Sequence, residues 1–332
     1  MRVARPPPTD APRLVTVVST EEEFDWNGPF RRENTGVEAA RHLHHGQAVF
    51  DAAGVAPTYV VDFPIATTAA SVEVLRAVHD AGRCEIGAHL HPWVTPPHEE
   101  SVGVRNSFSG NLPAELERRK LEVLCDAIER SFGVRPRTYQ AGRYGLGAAT
   151  AAALEALGFD VDAIASPGFD YSRDGGPDFS AMSCDPFWFG ERRPLLALPM
   201  TGGIVGALPA CRVEVYRTLA TPGLRWTHAL GALARLRLLE RLRLSPEGVD
   251  FGALRRLVKA LLDDGVRVFV LGLHSPTFLP GSTPYVRDER ELQEFLGRLR
   301  RFYDLFLGEL GGRPLTASQA RRELLERCPP RP

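Results

Sequence analysis

Short apolar runs alternate with longer amphipathic stretches along most of the chain. Leu14–Val18 (LVTVV), Pro57–Val61, Cys84–Ala88, Arg137–Gln140, Val161–Ala165, Leu195–Pro199 and Arg267–Leu273 (RVFVLGL) have the length and β-branched content of buried strands. Between them, apolar residues recur at helical spacing. The predicted helices are Thr35–Ala53, Ser71–Ala81 with Ser71 as N-cap, Pro113–Phe132, Ala148–Leu157, Phe251–Asp264 and Arg287–Leu310. Glycines at 54, 82, 133, 158 and 265 close five of these helices. The Leu/Arg-rich stretch Thr227–Leu242 is also predicted to be helical. Strands alternating with helices imply a parallel sheet covered by helices, open or closed as a barrel.

Four polar clusters share one property of this pattern. Glu21, His89, the AGRYG loop (141–145) and His274 each follow the C-terminal end of a predicted strand. In parallel α/β folds, ligand and catalytic groups collect at that edge. Directly after the first strand stands EEEFDW, with Glu21, Glu22, Asp25 and Trp26. In GAHLHPW, His89 and His91 are spaced i, i+2, which brings them together only where the strand gives way to a loop. Mixed imidazole and carboxylate donors on one edge suit a zinc-type site, with His98 as a substitute ligand. The HLHH run at His42–His45 falls on a predicted helix and is a weaker metal candidate. His274 is a candidate general acid, because imidazole titrates near neutral pH.

Composition narrows the classes. The 332 residues are 44% hydrophobic and 24% charged, with a net charge of −1. No Lys/Arg block argues for nucleic acid or an anionic membrane. No run reaches the ~18 apolar residues of a membrane span. The five cysteines are scattered without a CxxC pair, which points to reduced thiols and a cytoplasmic setting. Residues 1–12 read as a flexible leader and 319–332 as a C-terminal tail. The intervening 13–318 form one domain, with a helical insertion near 213–250. The Arg/Leu run Ala232–Leu244 reads as a solvated or subunit-facing helix. The oligomeric state is open.

The ordered set EEEFDW, EIGAHLHPW, AGRYG and LGLHSPTFLPG resembles the polysaccharide deacetylase (NodB-homology, carbohydrate esterase family 4) superfamily. It is most similar to the WalW-type intracellular branch. The resemblance implies a distorted (β/α) barrel holding a divalent metal, usually Zn2+, and hydrolysis of an N-acetyl group on a glycan or smaller amino sugar by metal-activated water. Carried over residue by residue, it makes Glu21, His89 and His91 the metal ligands and His274 the acid. Trp93 stands where the family's second histidine is usual. Ser19 stands where the base aspartate is usual, and Gln140 where its arginine partner is usual. Removing one member of a buried ion pair costs about 3–5 kcal/mol, so losing both together reads as a coupled neutralisation. Glu22 or Asp25 then becomes the candidate base, with Arg143 as its partner. Trp26, Trp93, Tyr144 and Asp170 are candidate sugar contacts. The alternative is a deacetylase-like protein that has lost turnover and serves as a carbohydrate-binding or scaffold protein.

Overall fold

The first long strand, β2 (Arg13–Thr20), is buried along its whole length. Such continuous burial is expected of a parallel strand covered on both faces. In the computed structural model, which describes residues 2–163, 166–207, 211–225 and 228–330, β2 lies inside a ten-stranded sheet. In chain order the other strands of this sheet are β1 (Arg2–Val3), β3 (Thr58–Val61), β4 (Glu85–Leu90), β5 (Thr138–Ala141), β6 (Val161–Asp162), β7 (Phe187–Phe189) and β8 (Leu195–Ala197). A separate antiparallel hairpin, β9 (Gly202–Gly206) with β10 (Leu239–Arg243), precedes β11 (Val268–His274) and the short β12 (Arg313–Leu315). The spatial order is β1-β7-β8-β6-β5-β4-β3-β2-β11, with β12 beside the start of β2. The run from β11 to β8 is parallel throughout.

The gap between β8 and β11 is bridged by the chain around the hairpin. Thr201 N–H donates to Val270 O (3.1 Å), Thr201 Oγ1 accepts from Val270 N–H (2.8 Å), and Gly272 N–H donates to Leu244 O (3.1 Å). The result is a distorted (β/α) barrel.

The two-residue period of the strands sorts the core into two shells. Leu14 and Val18 of β2, Phe269 and Leu271 of β11, and Tyr59 of β3 face the outer helices. Val15, Val17, Val60, Val268 and Val270 fill the inside with Val161, Leu196 and Met200. The same inward phase ends in Ser19 on β2 and His274 on β11, which are paired in register, and in His89 on β4 and Gln140 on β5, also paired. Gly87 sits inward where space is short: a Cβ there would lie 2.8 Å from Thr138 O.

Three expectations are corrected. The stretch read as a flexible leader is tied down: Arg2–Val3 pairs with Phe187–Trp188, Ala4 is buried, and Arg5 pairs with Asp185. Residues 319–327, read as part of a C-terminal tail, form a docked helix. The helix Ala317–Arg327 opens on a Thr316/Gln319 capping box and buries Ala317, Ala320 and Leu324 against the inner shell. Its first turn docks on the sheet, with Ala317 N–H donating to Thr58 Oγ1 and Ser318 N–H to Glu85. Third, the Leu/Arg-rich stretch is helical only over Ala229–Arg235 and continues as β10, so the insertion near 213–250 is helical in its first part alone. Glu240 and Leu242 of β10, with Leu244 just beyond its end, show the packing. Both leucines are buried, and Glu240 pairs with Arg256 of the helix Phe251–Asp263. The end of the predicted strand Val161–Ala165 (164–165) and residue 227 lie outside the described residues.

Smaller shifts follow local chemistry. Thr68, not Ser71, precedes the helix Ala69–Asp80, and the Ser71 hydroxyl donates to Ile65 O and Thr68 O inside it. The last long helix, Glu289–Tyr303, runs into a π turn, Asp304–Glu309.

Candidate metal centre and adjoining cavity

Glu21, one residue beyond β2, is brought against His89 and His91 by the parallel register of β2, β3 and β4. Its Oε2 lies 3.2 Å from His89 Nε2 and 3.6 Å from His91 Nε2. All three side chains are buried. The strand ends at Leu90, so the backbone turns and the i, i+2 histidines reach the same point. Gly142 makes room for this: a Cβ there would lie 2.2 Å from His91 Cδ2.

The other ring nitrogens are both engaged, and for His89 the partner fixes the tautomer. His89 Nδ1–H donates to Gln140 O (2.9 Å), which leaves a lone pair on Nε2. His91 Nδ1 lies 2.7 Å from Glu22 Oε2. Burial lowers both imidazole pKa values, so neutral rings are favoured. Burial also opposes charge on Glu21, but His274 leads the groups that outweigh it and hold the carboxyl below its usual range. The lone pair of neutral His89 Nε2 therefore points at the Glu21 carboxylate, with His91 Nε2 beside it. That arrangement is repulsive unless a cation lies between them, and the donor set of two imidazoles and one carboxylate is one that zinc-type ions take. The residues present fit a divalent metal, and the Nδ1 contacts are the outer-shell bonds that orient such ligands.

Glu22 is where the structure departs most from the sequence reading. It is fully buried, and Trp93 Nε1–H donates to its Oε1 (2.7 Å) while His91 occupies Oε2. Its backbone N–H donates to Asp62 Oδ2 (2.6 Å), and Asp62 also caps the helix Phe63–Thr67 through Ile65 N–H. Burial pushes Glu22 up to about 8 and, with the Glu22 contact, raises Asp62 well above the carboxylate range. Both Glu22 oxygens are thus engaged, one by Trp93 and one by His91. Trp93 is also buried and stacks on His91 (4.2 Å, 25°), which leaves its ring no exposed face. Asp62 escaped the sequence reading, although it too stands just past a strand end.

Asp25 is exposed and binds Asn27 N–H in its own turn. Arg143 does not meet Glu22 or Asp25. It pairs with Asp174 and Ser107 and lies over Phe108 at 4.3 Å. Asp170 is exposed and borders a different surface depression, near Tyr216 and His228. His98 is exposed, and neither it nor His42–His45 belongs to a metal-type group among the described residues.

Ser19, Gln140 and His274 meet at a cavity of about 190 Å³ beside the metal cradle, which Tyr144 also lines. Ser19 Oγ–H donates to Gln140 Oε1 (2.7 Å), out of solvent. Arg143 and Tyr144 both have left-handed backbones (φ 53° and 59°), a conformation costing of order 1–3 kcal/mol at a non-glycine residue. His274 Nδ1 and backbone N–H are both held by Glu247, at 2.8 and 2.9 Å, and Thr277 Oγ1–H donates to the same carboxylate. Burial disfavours the charged ring, but Glu247 and Glu21 outweigh it and raise its pKa to about 9. Nδ1 is spoken for, so Nε2 is the atom left for chemistry. Trp26 packs edge-on against this ring (4.8 Å). Glu247, in the turn SPEGVD, carries no motif that singles it out in the sequence.

No protein-family model and no curated protein matches the chain. Solved structures do. Candidate polysaccharide deacetylases from Mycobacterium smegmatis (TM-score 0.56, 16% identity, 99% of each chain covered) and Pseudomonas aeruginosa PAO1 (0.58, 16%, 98% of this chain and 96% of that one) superpose over nearly their full length. So does the PuuE allantoinase (0.60, 16%, 98% and 95%). At these identities the likeness establishes the architecture: the chain has the polysaccharide-deacetylase fold.

Proposed function

We propose that the protein is a hydrolase of linear amide bonds that depends on a divalent metal, Zn2+, and removes an N-acyl group from an amino sugar or glycoconjugate. The observation that carries this reading is the convergence of His89 Nε2 and His91 Nε2 on Glu21 Oε2, with both Nδ1 atoms already committed. A divalent cation held by these three residues would polarise the acyl carbonyl and make a water acidic. Hydrolysis adds hydroxyl to the acyl carbon and a proton to the departing nitrogen. His274 delivers that proton from Nε2, and Glu247 keeps the ring charged until it is needed. Glu22, Trp93 and Asp62 hold His91 in place. Trp26, beside His274, is the tryptophan placed to meet a sugar. All five cysteines are free, in keeping with a cytoplasmic protein. The test is metal analysis of the purified protein, followed by acetate release from a panel of N-acetylated sugars with Zn2+, Co2+ or Ni2+. Stoichiometric metal without release from any substrate would defeat the hydrolase reading.

One observation favours a second reading, a deacetylase-like protein without turnover. Where the resemblance calls for a base and its arginine, Ser19 and Gln140 form a neutral hydrogen bond. A hydroxyl does not take up a proton at neutral pH as a carboxylate does. The double variant Ser19→Asp/Gln140→Arg separates the two readings. Activity that appears only in the double variant supports a protein without turnover; loss of an existing activity supports the hydrolase.

A further inference from the structure

The cavity beside the metal cradle has an electrostatic character that hydrolysis of a neutral sugar amide does not require. Arg241 and Arg243 are spaced i, i+2 on β10, so both project from one face of the hairpin toward Phe169, each guanidinium 4.3 Å from the ring centre. Neither makes an ion pair among the described residues. Arg241 donates to Gly168 O and Arg243 to Ser166 Oγ and Tyr171 OH, all neutral partners. Arg243 Nε–H is buried with no hydrogen-bond partner, and a buried donor left unmade costs about 1–3 kcal/mol or more when charged. Among the described residues Glu247 is the single carboxylate lining the cavity, and its oxygens are taken by His274 and Thr277. At about 190 Å³ the space lies below the usual 300–1,000 Å³ of drug-sized ligand pockets.

We infer that this cavity recognises an anionic group, a carboxylate or a phosphate, through Arg243, and that the substrate is a small acidic N-acyl compound of single-ring size, not a neutral glycan chain. The inference rests on the hydrolase reading for the bond that is cut, but not for the binding itself.

Calorimetric titration of the metal-loaded protein with N-acetylglucosamine, N-acetylglucosamine 6-phosphate, N-acetylmuramic acid and chitotetraose tests it without turnover. At least one of the two acids is expected to bind about 10–100-fold tighter than either neutral sugar, with affinity falling as salt is raised. Which acid wins tells carboxylate from phosphate. Arg243→Gln should erase the preference and Arg243→Lys should keep part of it. Should Arg243→Gln misfold by circular dichroism, the wild-type ratio and its salt dependence decide. Equal binding of charged and neutral sugars by the wild type, or an acid preference that survives in folded Arg243→Gln, overturns the inference. Tight acid binding without acetate release would sink the hydrolase reading and leave this one standing; efficient deacetylation of neutral sugar alone would do the reverse.

Discussion

Two regions share the mouth of the barrel and are built on opposite terms. In the cradle, Glu21, Glu22, His89, His91, Asp62 and Trp93 are buried, and each side chain has a partner. Across Ser19 and Gln140 lies the cavity, where Arg243 Nε is a buried donor with no hydrogen-bond partner among the described residues. Such a contrast is what is expected between a preorganised part of a site and a part completed by what binds. It also assigns the strands: β2 and β4 of the main sheet carry the fixed half, and β10 of the hairpin carries the receptive half.

The largest expected effect comes from breaking the fixed half. His89→Ala or Glu21→Ala removes one of three converging donors. Neither variant should retain stoichiometric metal after dialysis, and N-deacylation should fall below detection. A variant that keeps full metal content would place the ions elsewhere and undo the contrast.

On the boundary, His274→Ala should lower kcat by about 10²–10⁴, the usual worth of a positioned acid, with metal content unchanged. The acid must carry its proton, and that form predominates below its pKa of about 9. Activity should therefore fall as pH rises through 9. Glu247→Gln takes away the main group that raises the pKa, so the falling limb should move toward the ordinary imidazole value of ~6.5. Paired kcat–pH profiles and the ring resonances of His274 read this directly. A limb that stays at pH 9 in Glu247→Gln would remove His274 from the proton path.

A graded effect is expected one layer out. Glu22→Gln keeps the shape of the support but weakens the acceptor facing His91 and Trp93. Metal affinity should drop about 10–100-fold, as for other outer-shell partners, while His274 titrates as before. No change in affinity would reduce Glu22 to a packing residue.

The sequence carried these two regions unequally. LVTVV and RVFVLGL are largely apolar, β-branched runs of the kind a doubly covered strand shows, so the sheet edge and the residues at or just past it (Glu21, His89, His91, His274) were legible. ALARLRLLERLRL has leucines at spacings that suit a helix as well as a strand. Only packing against the helix Phe251–Asp263 makes its second half β10, and the guanidiniums it carries were invisible with it. Glu22 and Trp93 were visible as residue types, but their roles were not. A carboxylate beside a ligand reads as a base until its two oxygens are seen to be taken.

The smallest effect tests the seam itself. Ser19 lines the cavity and donates to Gln140, whose backbone carbonyl in turn holds His89. Ser19→Ala deletes the donor and leaves Gln140 Oε1 buried without it, which should cost about 1–3 kcal/mol in stability. Gln140 Nε2 has only a long bond to Ala163 O (3.3 Å) and a contact to Met200 Sδ (3.6 Å) to hold the amide in place. The amide should therefore turn, yet the backbone bond to His89 belongs to β5 and stays. Denaturant unfolding should show the loss while metal affinity stays within about twofold, well short of the 10–100-fold of an outer-shell ligand change. A metal affinity that falls with stability would mean that the two halves are one cooperative unit and that Ser19–Gln140 transmits between them.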